Sequence, residues 1–102
     1  MTTRKTAPKL DEVLAQLKAV KPYMQEHWGI MELAVFGSVA RGEATPESDV
    51  DILFDYDRQL GLEIVTMGDY LEEYLGRKVD LLSKKAIRPK VWPYIKGEMR
   101  YV

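Results

Sequence analysis

The sequence predicts a single small α/β (α+β) domain of three to four strands flanked by helices. Two observations lead there. The chain has 102 residues, 46% of them hydrophobic, enough for one core and too few for two domains. Its apolar spacing also switches repeatedly, from helical to extended and back, with glycines at the junctions.

Taken in order, residues 1–8 read as a flexible polar N-terminal tail, and residues 9–102 as the domain. Leu10, Val13, Leu14, Leu17 and Val20 follow helical spacing, so a first amphipathic helix covers Leu10–Trp28. Pro22 predicts a kink or break near Lys21, and Gly29 a C-terminal stop. Ile30–Phe36 is apolar except for Glu32 and reads as a buried strand. A loop follows, GSVARGEATPES, with at most a short helix beginning at Ser38. Asp49–Asp55 reads as a second strand, with Val50, Ile52 and Phe54 toward the core and Asp49, Asp51, Leu53 and Asp55 on the opposite face. Leu62–Leu75 is a second long helix presenting Ile64, Met67, Leu71, Tyr74 and Leu75 on one side and stopping at Gly76. Lys78–Leu82 is a third short strand, Ile87, Val91 and Ile95 suggest a last helical segment despite Pro89 and Pro93, and Met99–Val102 adds a fourth strand.

Composition removes several kinds of chemistry. The absence of cysteine excludes disulfide scaffolds, thiol nucleophiles and cysteine metal sites. A single histidine, His27, leaves little for a histidine metal site or a Ser-His-Asp triad, and its place at a helix end suits a cap or surface group. Net charge is −1, from 15 basic and 16 acidic residues, which argues against nucleic-acid binding by general phosphate attraction. No apolar run approaches a membrane span and the start lacks a signal-peptide core, so no membrane partner and a cytoplasmic location are expected. Charge is uneven along the chain. Between Gly42 and Leu75 the acids outnumber the single base, Arg58, whereas from Gly76 onward eight bases face only Asp80 and Glu98. Either two solvated faces attract each other, or an acidic metal site lies beside a basic surface for an anionic substrate or an acidic partner. In that tail Trp92 and Tyr94 could pack on the sheet or serve as docking anchors.

The chemistry concentrates in Phe36-Gly37-Ser38-Val39-Ala40-Arg41-Gly42 and Ser48-Asp49-Val50-Asp51. A buried strand delivers the chain to Gly37, where a missing side chain permits close approach to the backbone. Ser38 then offers an N–H and a hydroxyl to a phosphate. After ten further residues, Val39 to Ser48, Asp49 and Asp51 put two carboxylates on one strand face. Such a pair repels unless a cation lies between, and hard oxygen ligands suit Mg²⁺ or Mn²⁺. Asp80, an acid between Val79 and Leu81 on another strand, supplies a third. Singly these are ordinary: Gly-Ser turns, Asp-x-Asp pairs and strand-edge acids are common, and Arg41 could merely pair with Glu43 or Glu47. Their combination in this order sets them apart.

That combination resembles the DNA-polymerase-β-like nucleotidyltransferase superfamily, and FGSVARGEATPESDVDILF is similar to its smallest members, the minimal nucleotidyltransferases. The resemblance spans Leu10–Leu82 and extends toward the chain end. One departure is Val39, where many relatives carry a basic residue, leaving Arg41 as the loop's only cation. The resemblance implies a mixed central sheet. It implies that Asp49, Asp51 and Asp80 are catalytic metal ligands for two Mg²⁺ ions (Mn²⁺ serving as well), with Asp80 helping to activate the acceptor hydroxyl. It further implies that Gly37, Ser38 and Arg41 bind the nucleoside triphosphate, ATP as substrate. The larger relatives hold the acceptor with extra domains, so an incomplete acceptor site is expected here. Some minimal nucleotidyltransferases act as antitoxins by transferring AMP to a tyrosine of a partner HEPN-family toxin, and this is the function expected. Transfer to a small hydroxylated molecule, and a binding-only antitoxin, are the alternatives. The first is disfavoured by the missing acceptor domain and the second by the intact acid trio.

Overall fold

The computed structural model describes residues 6–102. Its elements are α1 (Leu10–Trp28), β1 (Ile30–Phe36), α2 (Gly37–Arg41), β2 (Val50–Tyr56), α3 (Glu63–Leu75), β3 (Val79–Ser83), a 3-10 turn (Lys84–Ala86), α4 (Trp92–Ile95), a second 3-10 turn (Lys96–Glu98) and β4 (Arg100–Tyr101). The strands form one mixed sheet in the order β3-β2-β1-β4. β1 runs antiparallel to β2 and to β4, while β2 and β3 are parallel and joined across the sheet by α3.

One sheet face carries the main core. Leu33 and Val35 of β1 and Val50, Ile52 and Phe54 of β2 are buried against Val13, Leu17, Val20 and Met24 of α1 and Met67, Leu71 and Leu75 of α3. A register shift between Ile30 and Glu32 lets Ile30 and Leu33 both join this core although they are an odd number of positions apart. Among the described residues the opposite face is covered by the C-terminal segment: Ala34, Leu53 and Met99 are buried there, with Ile87, Trp92 and Ile95 packed against them. Leu53, expected on the acidic face of its strand, is therefore on that face and still buried.

Several expected boundaries shift. α1 continues through Pro22 without a break and ends at Gly29, whose φ of 68° lets its N–H reach the Gln25 carbonyl. The short helix after β1 starts at Gly37 rather than Ser38, and β2 starts at Val50, leaving Asp49 just ahead of the strand. Tyr74 lies toward solvent and off the buried stripe of α3. The expected C-terminal helix is divided. Pro89 lacks an N–H and Pro93 sits in the first turn of α4, so Ile87, Val91 and Ile95 fall on separate short segments, and Val91 is exposed. Of the expected tail, residues 1–5 lie outside the described residues. From Thr6 the chain runs against the domain, with Pro8 buried and the Thr6 carbonyl accepting a hydrogen bond from Arg77. Among the described residues no helix is long and apolar enough to cross a membrane.

Candidate active site

The acids gather where the second sheet face emerges from under the C-terminal segment. Asp51 is the second residue of β2, and the parallel register sets it directly beside Asp80 of β3. Neighbouring residues of parallel strands point to the same face, so the two carboxylates are side by side although 29 positions apart in the chain. On its other flank Asp51 pairs with Phe36, the last residue of β1. The exposed Asp49 precedes it by two residues and shares its side of the extended backbone.

Gly37 follows Phe36 and closes over Asp51. Its φ is +73°, and a Cβ placed on it would lie 2.1 Å from Asp51 Oδ2. Only glycine leaves room there for the carboxylate, and only glycine adopts that backbone without strain. The chain then turns into α2, burying Val39 and Ala40 and carrying Ser38 and Arg41 around the site. The following loop is closed by Thr45 and Ser48: the Thr45 N–H donates to Ser48 Oγ (2.8 Å) and the Ser48 N–H to the Thr45 carbonyl (3.0 Å). It leads into β2, whose first N–H, at Val50, donates to the Lys78 carbonyl (3.0 Å), fixing the register that pairs the two aspartates. Glu72 of α3 accepts from the Val79 N–H (3.0 Å) and ties β3 to the helix that precedes it.

The electrostatics match this crowding. Burial raises the Asp51 carboxyl above its ordinary range, and Asp80 and then Asp49 raise it further; Arg41 acts in the opposite sense. A divalent cation would relieve such a set, and carboxylate oxygens suit Mg²⁺ or Mn²⁺. Among the described residues no three His, Cys, Asp or Glu side chains form a metal cage of their own. The donor set thus suits an ion held by one or two carboxylates and completed by substrate oxygens and water, as Mg²⁺ is usually bound.

Arg41, the loop's one cation, does not pair with Glu47. Its Nε donates to Glu43 Oε1 (3.0 Å), and its Nη1 to Glu98 Oε1 and Oε2 (3.1 and 3.3 Å). Glu98 also accepts from the Gly37 N–H (2.9 Å). Sequence reasoning gave Glu98 no role. Its signal was that it is one of two acids in a basic tail, and the other is Asp80. The remaining candidates are structural: Trp28 is buried, Trp92 packs on the second face, and His27 stacks on Tyr23 at 5.1 Å. Tyr94, in contrast, is 85% exposed.

A glycine-gated loop over carboxylates on adjacent strands is the arrangement of a nucleotidyl-transfer site. The nucleotidyltransferase domain family matches residues 17–102, and the chain belongs to that family. Protein adenylyltransferase MntA of Thermococcus cleftensis is 38% identical over 94 residues, 91% of this chain and 95% of that protein. A protein of Methanocaldococcus jannaschii, provisionally named a protein adenylyltransferase, is 38% identical over 97 residues, 91% of this chain and 97% of its own. A solved structure provisionally described as a minimal nucleotidyltransferase superposes with a TM-score of 0.77 at 32% identity, covering 91% of this chain and 95% of that one. The fold also recurs, at 15% identity and a TM-score of 0.65, in a variant of the toxin–antitoxin pair MntA–HpeT, over 92% of this chain and 72% of that one. The chain is thus a nucleotidyltransferase with the mixed four-stranded sheet of the minimal type.

Proposed function

We propose that this nucleotidyltransferase moves AMP from ATP onto a tyrosine hydroxyl of a partner protein, a HEPN-family toxin, and so acts as an antitoxin. The observation that carries the reading is the register of Asp51 with Asp80 under Gly37. It sets two carboxylates side by side at one end of the sheet, with Asp49 two residues ahead of Asp51. The relatives named protein adenylyltransferases support a protein acceptor. The name shared by the Thermococcus relative and the toxin–antitoxin pair supports a toxin partner.

In this reading Ser38 holds the β- and γ-phosphates through its N–H and hydroxyl, Gly37 lets them approach the backbone closely, and Arg41 steadies the loop at its far end. Asp49 and Asp51 would hold two Mg²⁺ ions, with Asp80 sharing one. Bound there, Mg²⁺ supplies Lewis-acid polarisation of the α-phosphoryl group and neutralises charge on the leaving pyrophosphate. The tyrosine oxygen attacks the α-phosphorus in line as the bond to the β-phosphate oxygen breaks. The phenolic proton passes to Asp80. A tyrosine hydroxyl has a pKa near ~10, so at neutral pH it needs such a base. Asp80 is exposed, which lets an acceptor from another molecule reach it.

The test is co-expression with a HEPN-family protein from the native genome, followed by mass spectrometry of that partner. AMP on a partner tyrosine, lost when Asp51→Asn replaces the wild type, is the expected result. An unmodified partner together with adenylylation of a small hydroxylated compound would overturn the protein-acceptor reading and leave nucleotidyl transfer standing.

A further inference from the structure

Glu98 reaches the nucleotide loop from a part of the chain that sequence reasoning kept apart from it. It ends the second 3-10 turn, just before β4, and its side chain is 24% exposed. One carboxylate oxygen accepts from both the Gly37 N–H (2.9 Å) and Arg41 Nη1 (3.1 Å), and the other from Arg41 Nη1 (3.3 Å). Gly37 and Arg41 are the first and last residues of α2. One carboxylate therefore grips both ends of a five-residue helix. So short a helix has no stability of its own and takes its geometry from what holds it.

We propose that Glu98 is a positioning residue of the nucleotide site: by anchoring the Gly37 amide and the Arg41 guanidinium, it sets the phosphate-binding loop in its ATP-competent shape. The inference rests on the nucleotidyl-transfer reading above. The anchored amide fixes the peptide plane between Phe36 and Gly37, and with it the turn that keeps Gly37 clear of Asp51. The two-oxygen contact fixes Arg41, a long side chain that would otherwise lose rotamer freedom on meeting a phosphate. The C-terminal segment thereby does more than cover Ala34 and Leu53. Its docking presents Glu98, so the site is assembled only when the second face of the sheet is closed.

The competing account makes Glu98 a placeholder that occupies the phosphate position and must leave. The two accounts differ in sign. Glu98→Gln removes a negative charge beside a site for a polyanion, so Coulombic repulsion and placeholder competition both predict tighter ATP binding. Positioning predicts weaker binding, because the amide side chain keeps an acceptor for Gly37 but loses the charged grip on Arg41. The experiment is calorimetry of Mg²⁺-ATP binding to wild type, Glu98→Gln, Arg41→Gln and the double variant, with folding checked by circular dichroism. Glu98→Gln is expected to bind about tenfold more weakly, the worth of a charge-assisted hydrogen bond. The double variant is expected to bind no more weakly than Arg41→Gln alone, because Glu98 acts through Arg41. Equal or tighter binding by Glu98→Gln, or strictly additive losses, would overturn the proposal. If Glu98→Gln does not fold, Glu98→Asp replaces it; it keeps the charge but falls short by one methylene, and the same weakening is expected. Failure of the wild type itself to bind Mg²⁺-ATP would overturn the nucleotidyl-transfer reading and this proposal together, an outcome distinct from a loss confined to the variants.

Discussion

Asp51 is held in a position that is unfavourable for the protein alone. It is half-buried, flanked by Asp80 and Asp49, and closed over by Gly37. Its raised pKa means that the folded state favours its protonated form. The associated stability is present below the ordinary carboxylate range and is lost as pH rises through the raised value. Asp51→Asn should therefore melt above wild type at neutral pH without metal, and the gap should close as pH falls toward ~4; melting curves across that range measure it. The same variant should lose at least about 3 kcal/mol of transition-state stabilisation, on the order of a hundredfold in rate, if a metal ligand is lost. Greater stability with lower activity in one variant would mark a functional compromise, whereas lower stability would mark Asp51 as a structural residue. Gly37→Ala should do the opposite to stability. Its methyl group would meet Asp51 Oδ2 in a backbone conformation that alanine resists, a cost of about 1–3 kcal/mol, with loss of ATP binding. Urea unfolding and ATP titration check the two parts, and a fully stable, ATP-binding Gly37→Ala would refute the close-approach argument.

At the level of elements, the parallel pairing of β2 with β3 does the work of bringing a distant acid to the site. α3 carries the chain back across the sheet so that β3 starts level with β2, and the Val50–Lys78 hydrogen bond sets the register. A one-residue slip would turn Asp80 to the core face and Leu81 to the site. Asp80 is placed for proton transfer more than for nucleotide binding, being exposed at the sheet edge. Asp80→Asn should therefore cut turnover about a hundredfold while leaving ATP affinity nearly unchanged. Turnover of AMP onto the partner and equilibrium ATP titration separate the two. A variant with normal turnover would show that another group accepts the proton.

At the scale of the whole molecule the uneven charge resolves into two uses. Part of the basic tail pairs with acids of the sheet: Lys84 with Glu32 of β1 (2.9 Å) and Lys85 with Asp55 of the acidic middle (2.5 Å). Burial, the largest single influence, would raise the Asp55 carboxyl, but the Lys85 hydrogen bond, the Tyr56 backbone and the charges of Lys85 and Lys84 together hold Asp55 below its ordinary range. Both pairs remain in reach of solvent, are worth about 1 kcal/mol or less each, and fasten the first 3-10 turn to the sheet. Among the described residues Asp49, Asp51 and Asp80 make no ion pair, and Arg41, whose charge acts on Asp51, is itself held by Glu43 and Glu98. ATP binding should consequently depend on a divalent ion: calorimetry is expected to find binding with Mg²⁺ and little in EDTA. Equal affinity in both would refute the metal-bridged site, since the triphosphate would then be meeting uncompensated carboxylates without penalty.

Readings that rest on the spacing within one segment hold for the main elements, because spacing is a local property. Helical periodicity placed α1 with its bounds, the glycine at its end and the strand after it, and Gly37-Ser38 with Asp49 and Asp51 lies within a short stretch whose geometry neighbouring residues largely dictate. The fourth strand was legible as well, although only Arg100 and Tyr101 pair with β1. Three features depended on contacts between distant segments. Parallel register, which no single strand encodes, put Asp80 beside Asp51. The second covered face of the sheet buried Leu53, because prolines divided the C-terminal helix into pieces short enough to follow the strands. The grip of Glu98 on Gly37 and Arg41 spans 61 and 57 positions. A lone acid among bases reads as surface charge until the fold closes, and only the return of the chain over the sheet brings its carboxylate to an amide that local geometry leaves unpaired.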